Sequence, residues 1–302
     1  MIDNEIIQEE LEKEQTSDEI DVLETALMAA LLLSTTDLFS MYGTDNGLNM
    51  ARSKRKKAFF KRITDLIGDH YLSVSSLVEG KAKEAFQSAY ERFMEAYEEE
   101  LELPLIQVVT GEVLARAFEK GYPLSKTMAH NKKLTNRNLR RTLQDLFRQN
   151  EELPIVTTRL TEIVRNDTAR IRIVVQEETA RMQNQAQVQS VVDSEEQGID
   201  VDTIWNSLRD GKVRKAHREL HGQKADSEGW FYVDGDKAKH PHGFSKIGLN
   251  IRCRCYLEVR GVNVADSEVA RELNSAESSS KRREIWEMRR ALAKERKKGD
   301  IS

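Results

Sequence analysis

Cysteine, proline and long apolar runs are all scarce in this chain, and each scarcity excludes something. The 302 residues include only two cysteines, Cys253 and Cys255, which rules out a disulfide-stapled scaffold and points to a reducing compartment. Four prolines leave room for long unbroken helices. The longest apolar run, Ala26 to Leu33, is eight residues, under half of the roughly 20 that cross a bilayer. It follows an acidic stretch where an export signal carries a basic one, so no membrane association is expected and the chain reads as made and folded in the cytoplasm. A dominant sign of charge is missing too. With 47 basic and 51 acidic residues the net charge is -4, so composition as a whole carries neither a nucleic-acid nor a membrane footprint.

What is present favours helix. Charged residues make up 32% and apolar residues 39%, the balance of amphipathic helices, and the length suffices for one large or two modest domains. Residues 1–50 read as an acidic, partly mobile segment, since Met1 to Glu24 hold ten acids against the single Lys13. Residues 51–195 read as an elongated helical region. Seven Lys or Arg lie between Arg52 and Arg62, among them Lys54, Arg55, Lys56 and Lys57, and Phe59, Ile63, Leu66, Ile67 and Tyr71 follow at helical spacing. This basic cluster is either the solvated face of a helix or an anion-binding patch. The period recurs at Phe86, Tyr90, Phe93 and Tyr97 and at Leu139, Leu143, Leu146 and Phe147, with Pro104, Gly121-Tyr122-Pro123 and Pro154 as breaks. Ser125 is a candidate N-cap. A further helix is expected over about Leu160 to Gln189, which holds no Gly or Pro.

Composition shifts after Val192. Eight of the 15 glycines, both cysteines, four of the six histidines and two of the three tryptophans fall between Gly198 and Gly261. A compact α+β module over 196–262 is expected, with β-leaning runs at Trp230-Phe231-Tyr232-Val233 and Cys253 to Val259 between Gly-rich and Asp-rich turns. Residues 263–302 read as a basic helix and tail. Nine basic and three acidic residues lie between Lys281 and Lys298, including Lys281, Arg282, Arg283, Arg289 and Arg290, a helix that either meets phosphates or presents a solvated face. The fold class is therefore mainly α with one small α+β module.

The densest constellation of chemistry-bearing residues is Trp205, then Arg209 to Gly222, His240-Pro241-His242-Gly243 and Asn250 to Cys255. At helical pitch Val213, His217 and Leu220 share a face, with Asp210 placed to cap that turn and Gly222 to end it. His217 and His221, four apart, are spaced to converge on one point as helical metal ligands do. On an extended strand Cys253, Cys255, Leu257 and Val259 face one way and Arg252, Arg254, Tyr256 and Glu258 the other. The thiols then share a side, at a Cα separation of roughly 6.6 Å that is near the upper limit for a disulfide. Zinc needs the two sulfurs within roughly 4 Å of each other, which a bent strand provides. His217, Cys253 and Cys255 are thus candidate ligands of a structural zinc, with His221, His240, His242 or water as the fourth. The competing reading is two small buried thiols beside a hydrogen-bonded histidine, with no metal.

Catalytic patterns are thin. No Walker-type glycine loop, H-E-x-x-H or nucleophile elbow is present. Arg252, Arg254 and Arg260 favour a thiolate at the cysteines, but the sequence places no base beside them. The enzyme alternative is a histidine-metal-dependent nuclease acting on DNA, with His217 and neighbouring histidines activating water. Thiolates, however, suit a soft ion better than the hard cation of phosphodiester chemistry.

Taken in order, Trp205, Asp210, Arg214, His217, Leu220 and Gly222, an aromatic strand at Phe231, Pro241, Asn250 and the closing Cys253-Arg254-Cys255 resemble the phage head-morphogenesis family with a Mu-F-like domain. Upstream, Glu178 to Asn184 resembles the helix that precedes that domain in the family. The resemblance spans about Ala169 to Val259. It departs from the family pattern where Ile251 and Arg252 separate Asn250 from Cys253, and where Glu177 stands in place of a Thr. The resemblance implies a minor capsid protein of a tailed phage rather than an enzyme. Such a protein is made in the host cytoplasm, carried in the capsid interior near the portal, and acts in assembly and in DNA packaging or ejection. Portal protein, scaffold or major capsid protein, and DNA without sequence preference are the implied partners. On this view the set from Trp205 to Cys255 is structural.

Overall fold

The computed structural model describes residues 15–44, 47–48, 53–101, 105, 111–119, 124–149, 151–208 and 210–264, together with 280, 281, 284 and 287. In chain order the elements are α1 (Gln15–Tyr42), β1 (Gly43–Thr44), β2 (Gly47–Leu48), α2 (Ser53–Leu101), α3 (Gly111–Glu119), α4 (Leu124–Gln149) and α5 (Leu153–Glu195). Then come β3 (Ile199–Ser207), α6 (Lys215–Leu220), β4 (Phe231–Val233), β5 (Asp236–Ala238), α7 (Ile247–Asn250) and β6 (Cys255–Val264). The fold is mainly helical with a small antiparallel α+β part. Among the described residues no helix is long and apolar enough to cross a membrane.

The chain divides into two compact units, one within Glu9–Lys81 and Pro123–Glu178, the other within Ala82–Tyr122 and Thr179–Ser302. The first is built from α1, the first part of α2, α4 and the first part of α5. Phe59, Ile63, Ile67, Tyr71, Val74 and Val78 recur at three- and four-residue steps on α2, so one stripe of that helix is apolar and buries against Leu27, Leu31, Leu139, Leu143, Leu160 and Val164. Each such side chain contributes roughly 1.5–3 kcal/mol by leaving water. A polar knot crosses this core. Asp167, 1% exposed, accepts hydrogen bonds from the Tyr71 hydroxyl at 2.6 Å, the Arg170 guanidinium at 2.8 Å and the Thr135 hydroxyl, with the His70 ring at 4.0 Å.

The second unit holds two cores. Phe86, Ala89, Tyr90, Phe93, Met94 and Tyr97 of α2 pack with Met182 and Ala186 of α5 and with Ile199, Val259 and Val262 of the β3-β6 ribbon. In that ribbon Trp205 lies opposite Leu257 and Ser207 opposite Cys255, with a bulge between Asp200 and Asp202. The second core gathers Trp205, Leu220, Phe231, Val233, Phe244, Leu249, Cys255 and Leu257. The β4-β5 hairpin closes through Asp234 and Gly235, at φ of 50° and 68°, the left-handed pair that a two-residue Asp-Gly turn supplies.

Several elements differ from what periodicity predicts. The two apolar stripes of 59–71 and 86–97 belong to one helix of 49 residues. The helix expected over 160–189 runs from Leu153 to Glu195, because Pro154 falls in the first turn, where its missing N–H costs nothing. Ser125 lies inside α4, past its first residue Leu124, so it is not the cap; its side chain is outside the described residues. Strand β3 escaped notice although Ile199-Asp200-Val201-Asp202 alternates. Of the candidate DNA contacts, Arg52, Arg282, Arg283, Arg289 and Arg290 lie outside the described residues, as do the side chains of Lys54 and Arg55. Lys56 is half-buried, and Lys57 and Lys281 are exposed.

Candidate metal centre

Trp205, fully buried, fixes the end of β3. Its N–H donates to the Gln223 carbonyl at 2.9 Å and its carbonyl accepts from Gly222 N–H at 2.7 Å. Gly222 has a φ of +81°, a conformation that glycine adopts without strain, and it reverses the chain just past α6. Ahead of that helix Asp210 makes a local turn, Oδ1 accepting from Lys212 N–H at 3.0 Å. It does not cap α6, as the spacing had implied. The helix begins later, with Arg214 in the N-cap position, and the Asp210 carboxylate pairs instead with both prongs of the Arg254 guanidinium, which holds it below the usual carboxylate range.

The short helix carries His217 inward. The ring is 2% exposed and sits between Trp205, edge-on at 6.4 Å, and Phe244 at 6.3 Å. Its Nδ1 lies 3.5 Å from Cys253 Sγ and 3.4 Å from Cys255 Sγ, and these ligand-capable atoms all fall within 4.8 Å of one another. Both cysteines are free and buried, at 7% and 1% exposed.

The straight strand expected from Cys253 is corrected here. Strand β6 starts at Cys255, and alternation holds from Cys255 through Val259. Cys253 belongs to a turn in which Arg252 has a φ of +52° and Cys253 N–H donates to the Asn250 carbonyl at 3.0 Å. This bend brings the first thiol back beside the second, and the Arg214 guanidinium secures it by donating to the Ile251 carbonyl. The Cys253 thiol hydrogen-bonds to the Cys255 sulfur. That bond, then burial, pushes Cys253 up to about 12, and the same bond is the leading cause that lowers Cys255.

The other histidines separate. His221 does not converge with His217: α6 ends at Leu220, and His221 Nδ1 accepts from Ser207 N–H at 3.1 Å. His240 is buried with Nδ1 2.7 Å from the Pro241 carbonyl and Nε2 2.8 Å from Gln185 Oε1, and desolvation lowers its pKa to about 4. His242 is buried, has a φ of +66°, and lies near enough to Cys253 to act on its charge. Sequence reasoning missed two helical partners, Gln185 and Gln187. The latter donates from Nε2 to the Leu257 carbonyl at 3.2 Å. Their signal was the polar stretch Gln183-Asn184-Gln185, where the apolar period of α5 thins.

Two sulfurs and one imidazole, all buried, form a donor set for a borderline or soft ion. Phosphodiester hydrolysis uses open, oxygen-rich sites for hard cations, so the geometry gives a DNA nuclease centred on His217 no support.

No solved structure matches the chain. One curated relative, an NAD(+)--arginine ADP-ribosyltransferase of Enterococcus faecalis, is 28% identical over 82 residues, which is 27% of this chain and 17% of that protein. The chain thus matches only a minor part of that relative's length. The family described as phage Mu protein F like protein matches residues 107–258, half of the chain. That stretch takes in α5 and every residue of the set from Trp205 to Cys255, and on it the chain belongs to the phage Mu protein F like family of head-morphogenesis proteins.

Proposed function

We propose that this chain is a minor capsid protein of a tailed phage, seated inside the head at the portal, with scaffold or major capsid protein as further contacts and DNA held without sequence preference. The family match over residues 107–258 carries the reading. The geometry agrees with a structural role, because Trp205, His217, Leu220, Phe231, Asn250, Cys253 and Cys255 are buried together while Asp210, Arg214 and Arg254 tie the turns around them. Charge supports the division of partners. Exposed Lys57 and the basic composition of 281–298 suit phosphates, while the ten acids before residue 25 repel DNA and suit a basic protein surface. The ADP-ribosyltransferase activity belongs to the relative whose name carries it, and the shared 82 residues give no ground to transfer it.

The test is co-expression with the portal protein of the same phage. The chain is expected to co-purify with portal, and failure to do so while both proteins are folded would contradict portal association. For DNA, affinity for a random-sequence duplex should fall by roughly tenfold or more between about 50 and about 200 mM salt. Affinity that ignores salt would contradict phosphate contact.

A further inference from the structure

We propose that His217, Cys253 and Cys255 hold one structural Zn²⁺. The distances carry the argument. A tetrahedral ion bound to sulfur at about 2.3 Å and to nitrogen at about 2.0–2.1 Å sets those two ligand atoms about 3.6 Å apart. His217 Nδ1 stands 3.5 Å from one sulfur and 3.4 Å from the other. A single directed hydrogen bond does not explain the symmetry, since Nδ1 has one hydrogen or one lone pair to offer and reaches both sulfurs only by sharing it between them. A metal ion does, because it sits between the three atoms.

The surroundings fit a closed site. His217 Nε2 makes no hydrogen bond inside its aromatic pocket, and Nδ1 is the atom that faces the sulfurs. The ligands come from segments too short to hold their own geometry: a six-residue helix, the turn after a four-residue helix, and the first residue of β6. Three non-glycine residues of the same module, Asp234, His242 and Arg252, are held in left-handed backbone conformations, which persist only where the surroundings over-determine them. The turn that presents His242 is drawn tight, since a Cβ at Gly243 would meet the His240 carbonyl at 2.9 Å. Ion binding displaces the two thiol protons and supplies the cross-link that this small core lacks.

The proposal stands apart from the capsid reading, because a chain absent from phage heads would still bind the ion. The test uses the full chain purified without chelator. Elemental analysis should return one zinc per chain. Replacement by Co²⁺ should give the intense visible bands of a tetrahedral site and a near-ultraviolet thiolate-to-cobalt band. Cys255→Ser should lose both. Should that variant fold poorly, the parent protein supplies a second readout: titration with an organomercurial should release one zinc for two thiols modified. Zinc far below one per chain after refolding with zinc present, or cobalt bound without a thiolate band, would overturn the site.

Discussion

Asn250 grips Phe244 by both of its backbone polar groups: Oδ1 accepts from the Phe244 N–H at 3.0 Å, and Nδ2 donates to the Phe244 carbonyl at 2.7 Å. The clamp holds the Phe244 ring against His217, so the side chain most distinctive of the sequence motif acts through a loop rather than on a ligand. Asn250→Ala leaves two buried backbone groups without partners, at about 1–3 kcal/mol each. Urea unfolding of the variant should show a loss of about 2–4 kcal/mol. A loss below about 0.5 kcal/mol, the scale of an ordinary surface substitution, would contradict the clamp.

In the first unit the knot around Asp167 should respond unequally to its members. Asp167→Ala strands the Tyr71 and Thr135 hydroxyls and the Arg170 guanidinium, so breaking this buried ion pair should cost about 3–5 kcal/mol. Tyr71→Phe removes one donor and keeps the ring, at about 1 kcal/mol. Thermal denaturation of both variants tests this, and equal losses would show that the carboxylate is not the hub.

His70 gives the pH dependence. Burial lowers its pKa from 6.5, against the weaker opposing pull of Asp167, whose charge is shared with Arg170 and hydrogen-bonded by the neutral Tyr71 hydroxyl. A histidine neutral in the fold and protonated when unfolded stabilises fully above its unfolded pKa, and that stability is lost as pH falls below about 6.5. Denaturant midpoints measured downward from pH 7 should therefore drop more steeply in the parent than in His70→Gln. Parallel curves would remove His70 from the account.

The helical regions, the β-leaning runs at Phe231–Val233 and from Cys255, and the shared inward face of His217 and Leu220 were legible in the sequence because each rests on local periodicity. The length of α2 was not stated by the two separate stripes, because the span between them carries Gly80, a weak helix former that this helix nevertheless accommodates. That both thiols share a side was legible, but the turn that holds Cys253 ahead of the strand was not, because it needs Arg252 in a left-handed conformation that nothing in the local sequence announces. The separation of His221 from His217 turned on where a six-residue helix ends, and element ends are the least local of sequence signals. For Gln185 and Gln187 the polar stretch of α5 marks the place but not the partners, His240 and the Leu257 carbonyl, which lie 55 and 70 residues away.

The central claim is that this family member is a component of the phage head. Quantitative mass spectrometry of gradient-purified particles tests it most directly. The account predicts a low, reproducible ratio of this chain to the major capsid protein, retained in empty heads. Absence of the chain from particles at every stage of assembly would contradict it.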